Sequence, residues 1–199
     1  MEQYAPDGYT LYKIYKEHND KLWLRYEAGE ITQQTLRKIR FAETFREIGL
    51  PCSKEFAISF SESYLDLMPS KTALMSHARE VLEYLYNKEC RMALVSNGFR
   101  QVQYQKVRNS GLEKYFDSRI FISEVVGYHK PNPKIFIAAL TALNGKKKET
   151  LMVGDNFIND IEGAQVFGID QYYFNPGHLP CNGAPTFTGD DLRDLIALV

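Results

Sequence analysis

Leu151-Met152-Val153-Gly154-Asp155, followed by Asn156-Phe157-Ile158-Asn159-Asp160, is the stretch on which the reading of the fold turns. Its apolar start is a short buried strand, and residues 158–167 resume at helical spacing until Gly168. The same unit recurs on both sides. Upstream, residues 119–122 form an apolar strand, and residues 133–143 read as a helix with proline in its first turn. Further upstream, residues 92–95 form a strand ending in Ser96-Asn97-Gly98, followed by a helix over 99–109 that stops at Ser110-Gly111. A helix over 74–89 precedes it, a fourth strand spans 171–174, and Asp190 is expected to cap a last helix. Strands alternating with helices predict an α/β domain with a parallel sheet. Ligands in such sheets bind at the carboxyl ends of the strands.

The chain changes character near Pro69. Before it, Leu11, Ile14, Tyr15, His18 and Leu22 recur at helical spacing; Leu36, Ile39, Phe45 and Ile48 do so after Thr32, with Gly49 as a stop. Phe56, Phe60, Tyr64 and Leu67 make a third stripe, started by Ser53. The expected organisation is a helical domain over 1–69 and an α/β domain over 70–199.

Composition excludes several classes of protein. The 199 residues are 44% hydrophobic and 25% charged, as in an ordinary globular chain. A net charge of −1 with both signs interspersed gives no bulk attraction to nucleic acid polymers or anionic membranes. No apolar run approaches the ~18 residues of a spanning helix, and the polar start 1–4 lacks a signal-peptide core. Cys52, Cys90 and Cys181 are odd in number and form no C-x-x-C pair, so a reducing cytoplasm is the expectation. His18, His77, His129 and His178 lack metal-ligand spacing.

Three strand ends carry the polar residues capable of chemistry. Ser96 and Asn97 follow an apolar strand, where a hydroxyl and turn amides can hold an anionic oxygen; a plain Ser-Asn-Gly turn is the other reading. Lys130, in His129-Lys130-Pro131-Asn132-Pro133, can set one positive charge over a phosphate, or be a solvated loop lysine. Asp155 ends a strand and Asp160 lies early in the next helix; two carboxylates there suit a hard cation such as Mg²⁺, though Asn159 or Asp160 could simply cap the helix.

Ser96 after a strand, Lys130 in Lys-Pro-x-Pro, and Gly154-Asp155 followed by Asp160 resemble, in order and spacing, the second, third and fourth motifs of the haloacid-dehalogenase-like (HAD) superfamily. The resemblance covers about residues 71 to 199. It implies a Rossmann-like core in which Ser96 and Asn97 bind phosphoryl oxygens, Lys130 neutralises them as the catalytic lysine, and Asp155, supported by Asp160, holds Mg²⁺. The helical part resembles the cap domain of subfamily I. Its Trp23, Tyr26, Gly29-Glu30-Ile31-Thr32 and Arg40-Phe41 are similar to caps of bacterial pyrimidine 5′-nucleotidases. The implied reaction is Mg²⁺-dependent hydrolysis of a small phosphorylated metabolite or nucleoside monophosphate through an aspartyl-phosphate.

The family's first motif is an apolar strand followed by Asp-x-Asp-x-Thr, which supplies the nucleophile, and no Asp-x-Asp pair occurs in this sequence. The expectation is a HAD core lacking its first strand, from a mis-called start or a truncated copy, and inactive as it stands. Two alternatives stay open: a metal-free haloacid dehalogenase-like hydrolase, against which Asp155 counts, and a catalytically dead remnant that only binds phosphate or a partner.

Overall fold

The computed structural model describes residues 7–199; the polar stretch 1–4, read above against a leader, lies outside them. The chain divides into two compact units, the first ending at Met68 and the second running Pro69–Val199.

Among the described residues the first unit holds three helices, each started by a side-chain cap. In α1 (Gly8–Glu27), the Asp7 carboxylate accepts from the amides of Tyr9 and Thr10, both at 2.9 Å. Thr32 caps α2 (Gln33–Glu47) and Ser53 caps α3 (Lys54–Leu67), each accepting an amide three residues on at 3.1 Å. Gly49 follows α2 at φ 70°, the left-handed conformation that ends helices and favours glycine. The first two predicted stripes give Leu22, Leu36 and Phe45 to the core, and Phe41 joins them, its ring stacked 4.9 Å from that of Tyr15. The third stripe does not: Phe56, Phe60 and Leu67 are exposed, and α3 buries Ala57, Ser61 and Leu65 instead. Arg40 is buried among them, its guanidinium donating to Ser61 Oγ at 3.2 Å and lying over the Tyr64 ring.

The second unit alternates as predicted. Its elements are α4 (Ala78–Asn87), β1 (Leu94–Ser96), α5 (Arg100–Asn109), α6 (Glu113–Phe116), β2 (Ile120–Ile122), α7 (Ser123–Val126), α8 (Pro133–Ala142) and β3 (Leu151–Gly154). A π-helical turn over Phe157–Glu162 leads into α9 (Gly163–Phe167), then β4 (Asp170–Phe174), β5 (Phe187–Gly189) and a 3₁₀ segment, Leu192–Leu198. Every strand pair is parallel: β1 with β2, β3 with β4, and β4 with β5. Two apolar clusters sandwich these strands. Ile135, Phe136, Ala164, Phe167 and Ile169 cover one face and take in Val95 of β1 and Met152 of β3. Val81, Tyr172 and Leu195 cover the other, with Leu85 and Leu151 against them. Because Val95 and Met152 share one cluster, β1 and β3 lie in the same layer.

Several boundaries differ from the sequence reading. The first strand is Leu94–Ser96 rather than 92–95, because pairing begins where Leu94 N–H donates to Arg119 O. The fourth helix starts at Ala78 rather than at 74, since His77 is left-handed at φ 62° and cannot continue a right-handed turn. β5 went unread: unlike the equally short β1 and β2, Phe187-Thr188-Gly189 lies in no apolar run. The last helix is 3₁₀, and its cap is Asp191, which accepts from Arg193 N–H, not Asp190. The helix expected over 158–167 is π-helical in its first half, and neither Asn159 nor Asp160 caps it; Asn156 does, accepting from Asn159 N–H at 2.8 Å.

Candidate functional site

Lys130 is the centre of the polar cluster. Its loop is fixed from β1: Asn97 Nδ2 donates to Lys130 O at 2.9 Å, and Lys130 N–H donates to Asn97 Oδ1 at 2.8 Å. This two-point clamp gives Asn97 a positioning role that its Ser-Asn-Gly turn alone did not predict. The Lys130–Pro131 peptide is cis, and Pro131 packs on Gly163, where a β-carbon would lie 2.8 Å from Pro131 Cβ. A glycine is therefore required where the lysine loop meets the start of α9.

The Lys130 ammonium donates to Val95 O at 2.9 Å and to Asp160 Oδ1 at 2.6 Å. Both partners of this ion pair are buried, Lys130 at 8% exposure and Asp160 at 4%. An ammonium has three protons, so one remains for a further acceptor. The second Asp160 oxygen accepts from Asn156 N–H at 3.1 Å. The π-helical turn brings Asp160 back to the strand end, where it lies so close to Gly154 that a β-carbon there would collide with its carboxylate. Asp155, the next residue, is exposed and lines the same cavity as Lys130 and Asp160.

Ser96 closes β1 one residue beyond Val95, and its Oγ accepts from Gly98 N–H at 3.0 Å, leaving the hydroxyl proton to donate. Lys130, Asp160, Asn97 and the Val95 carbonyl are thus joined by hydrogen bonds, and Asp155 shares their cavity. Sequence reasoning missed Asn156, whose amide and side chain both organise this turn; its position between Asp155 and the helix was the available signal. Among the described residues, no group of three His, Cys, Asp or Glu side chains is gathered to hold a metal. The oxygen donors at this strand end are Asp155, free to ligate, and Asp160, whose two oxygens already accept Lys130 and Asn156. One or two carboxylates fit Mg²⁺, which keeps several waters or takes substrate oxygens.

No helix among the described residues is long and apolar enough to cross a membrane. The three cysteines are free thiols.

The second unit is thus a parallel α/β unit with a buried lysine–carboxylate pair and an exposed aspartate at its strand ends. The sequence model of the haloacid dehalogenase-like hydrolases matches residues 6–168, and the chain belongs to that family. It is 28% identical over 197 residues to the pyrimidine 5′-nucleotidase PynA of Streptococcus pneumoniae, spanning 96% of this chain and 81% of that one. It is 31% identical over 191 residues to the pyrimidine 5′-nucleotidase YjjG of Escherichia coli, spanning 94% and 82%. Among solved structures, the magnesium-bound HAD-hydrolase YfnB of Bacillus subtilis superposes with a TM-score of 0.83 at 26% identity, covering 99% of this chain and 85% of that one.

Proposed function

We propose that this chain is built for Mg²⁺-dependent hydrolysis of a small phosphate monoester, of the nucleoside 5′-monophosphate type. The observation that carries the reading is the buried Lys130–Asp160 pair at 2.6 Å, beside the exposed Asp155 at the carboxyl end of β3. Asp160 and Val95 O occupy two ammonium protons, which leaves the third for a phosphoryl oxygen. The Ser96 hydroxyl and Asn97 at the neighbouring strand end are read as the rest of the phosphate seat. Asp155 would hold Mg²⁺, with Asp160 keeping the turn in place; the bound cation would neutralise charge on the phosphoryl group. The helical unit is read as a cap. The two named nucleotidases and the magnesium-bound neighbour support the substrate class and the cation.

The nucleophile is the part these residues do not offer. No Asp-x-Asp pair follows an apolar strand, and none of Ser96, Lys130 and Asp155 replaces a carboxylate that attacks phosphorus in line. The 199-residue chain is therefore expected to hydrolyse p-nitrophenyl phosphate no faster than background, since losing a nucleophile costs orders of magnitude even when the rest of a site survives. The chain preceded by an apolar strand ending in Asp-x-Asp-x-Thr should turn over with Mg²⁺, and Asp155→Ala in that protein should abolish turnover. Robust EDTA-sensitive turnover by the 199-residue chain would show that the nucleophile has been misassigned.

A further inference from the structure

Gly98 closes the Ser96-Asn97-Gly98 turn, and its backbone does not explain why it is glycine: its φ lies outside the left-handed region. Space explains it. The side-chain amide nitrogen of Gln103 occupies the place a Gly98 β-carbon would take, and Gln103 Cδ would lie only 2.8 Å from that carbon. Any larger residue at position 98 therefore pushes the Gln103 amide off its seat. Gln103 belongs to α5 (Arg100–Asn109) and reaches back along the helix, so its carboxamide rests on the turn that ends β1.

Among the described residues no group uses that amide. The Gln103 backbone N–H donates to Phe99 O, as helix geometry requires, but the side chain has no hydrogen-bond partner. It does not cap α5 either. The residue before the helix, Phe99, makes no side-chain cap, and the first helical amide, Arg100 N–H, donates to Glu124 Oε2 at 2.8 Å. A carboxamide carries two N–H donors and a carbonyl acceptor. Gln103 is half-buried, where a leucine would fill the same space with no polar group to satisfy. A carboxamide seated against a strand-end turn, with its donors unspent, is placed for an acceptor from outside the chain.

We propose that Gln103 is a further substrate-binding residue, its carboxamide N–H donating to a phosphoryl oxygen seated at the Ser96-Asn97-Gly98 turn. The inference rests on the phosphate-monoester reading and adds to that seat a donor from α5. The reach is right. Ser96 Oγ lies 3.0 Å from Gly98 N, which puts it at most about 8 Å from Gln103 Nε2. With hydrogen bonds of about 2.8 Å at each end, one phosphoryl group bridges donors up to about 8 Å apart. The residue type is right as well. A neutral carboxamide donates to an anion at every pH, and it does not compete with Lys130 for the Asp160 carboxylate.

The test uses the 199-residue chain with Mg²⁺ and with inorganic phosphate as the probe. The side-chain ¹⁵N–¹H resonances of Gln103, assigned by their loss in Gln103→Leu, should move along one saturable curve as phosphate is added. Gln103→Leu should weaken phosphate binding about fivefold, the worth of one hydrogen bond. Gln103→Glu keeps the reach but replaces the donor with a negative charge, and should weaken it further. Gly98→Ala displaces the amide, so it should match Gln103→Leu, and the double variant should be no weaker than either single one. If Ser96→Ala weakens phosphate while Gln103→Leu leaves it unchanged, the seat stands and the assignment of Gln103 falls. Gln103 amide resonances that stay still in the unsubstituted protein overturn it whatever the variants do, because a merely structural glutamine would lose stability on substitution without sensing phosphate. Absence of saturable phosphate binding by the unsubstituted chain would overturn the phosphate-monoester reading and this inference together.

Discussion

Replacing Lys130 with methionine isolates the ion pair at the centre of the site. At 2.6 Å the ammonium and the Asp160 carboxylate attract by about 6 kcal/mol if the effective dielectric is about 20. Their side chains are only 10% and 6% exposed, so stripping both of water offsets most of that attraction. The asymmetry lies in breaking the pair. Lys130→Met leaves the Asp160 carboxylate buried with the Asn156 amide as its remaining hydrogen-bond donor, and leaves Val95 O without its ammonium. The expected cost is about 3 kcal/mol in urea unfolding of the α/β unit, equivalent to a melting temperature lower by roughly 10 °C for a unit of this size. Asp160→Asn keeps the acceptor for Asn156 but strands the ammonium, and should cost a comparable amount. The double variant should lose at least about 2 kcal/mol less than the sum of the singles, because contacting partners couple. A Lys130→Met loss below about 1 kcal/mol, or strictly additive losses, would refute the pairing on which the site rests.

Two further perturbations probe the two units. Burial, and then the hydrogen bond with Tyr64, push the Tyr15 hydroxyl above its ordinary range. A raised folded value means the stability it contributes is present below the unfolded value of about 10 and is lost as pH climbs past it. The melting temperature of the helical unit should fall between pH 10 and 11.5, and Tyr15→Phe should flatten that fall; an equal fall in both proteins would count against the cause. Ile135 is fully buried between α9 and the sheet, and Ile135→Ala should cost about 3 kcal/mol in chemical denaturation; a loss under about 1 kcal/mol would mean that this cluster is loosely packed.

The elements with a long period were legible from residues alone. Three helical stripes up to Leu67 and the strand–helix alternation after Pro69 became the two units. What stayed hidden was set by contacts that sequence does not carry. β5 exists because Tyr172 finds Phe187 alongside it, with the Tyr172 hydroxyl reaching Asp191 O and Asp194. The π-helical turn is likewise tertiary: closing Asp160 onto both Lys130 and the Asn156 amide widens the helix start, and helix propensity says nothing of that demand. Among the site residues, the types and order of Ser96, Lys130, Asp155 and Asp160 were readable. Asn97 as a clamp on Lys130, and the division between an exposed Asp155 and a committed Asp160, needed coordinates.

The phosphatase reading is tested most directly by asking which leaving group the site releases. The measurement uses the chain carrying an added apolar strand with Asp-x-Asp-x-Thr, assayed in parallel for phosphate from uridine 5′-monophosphate and for chloride from L-2-chloropropionate, with Mg²⁺ and with EDTA. The account predicts phosphate release that EDTA abolishes and that Asp155→Ala eliminates, with no chloride above background. Chloride release indifferent to EDTA, with phosphate release at background, would contradict it.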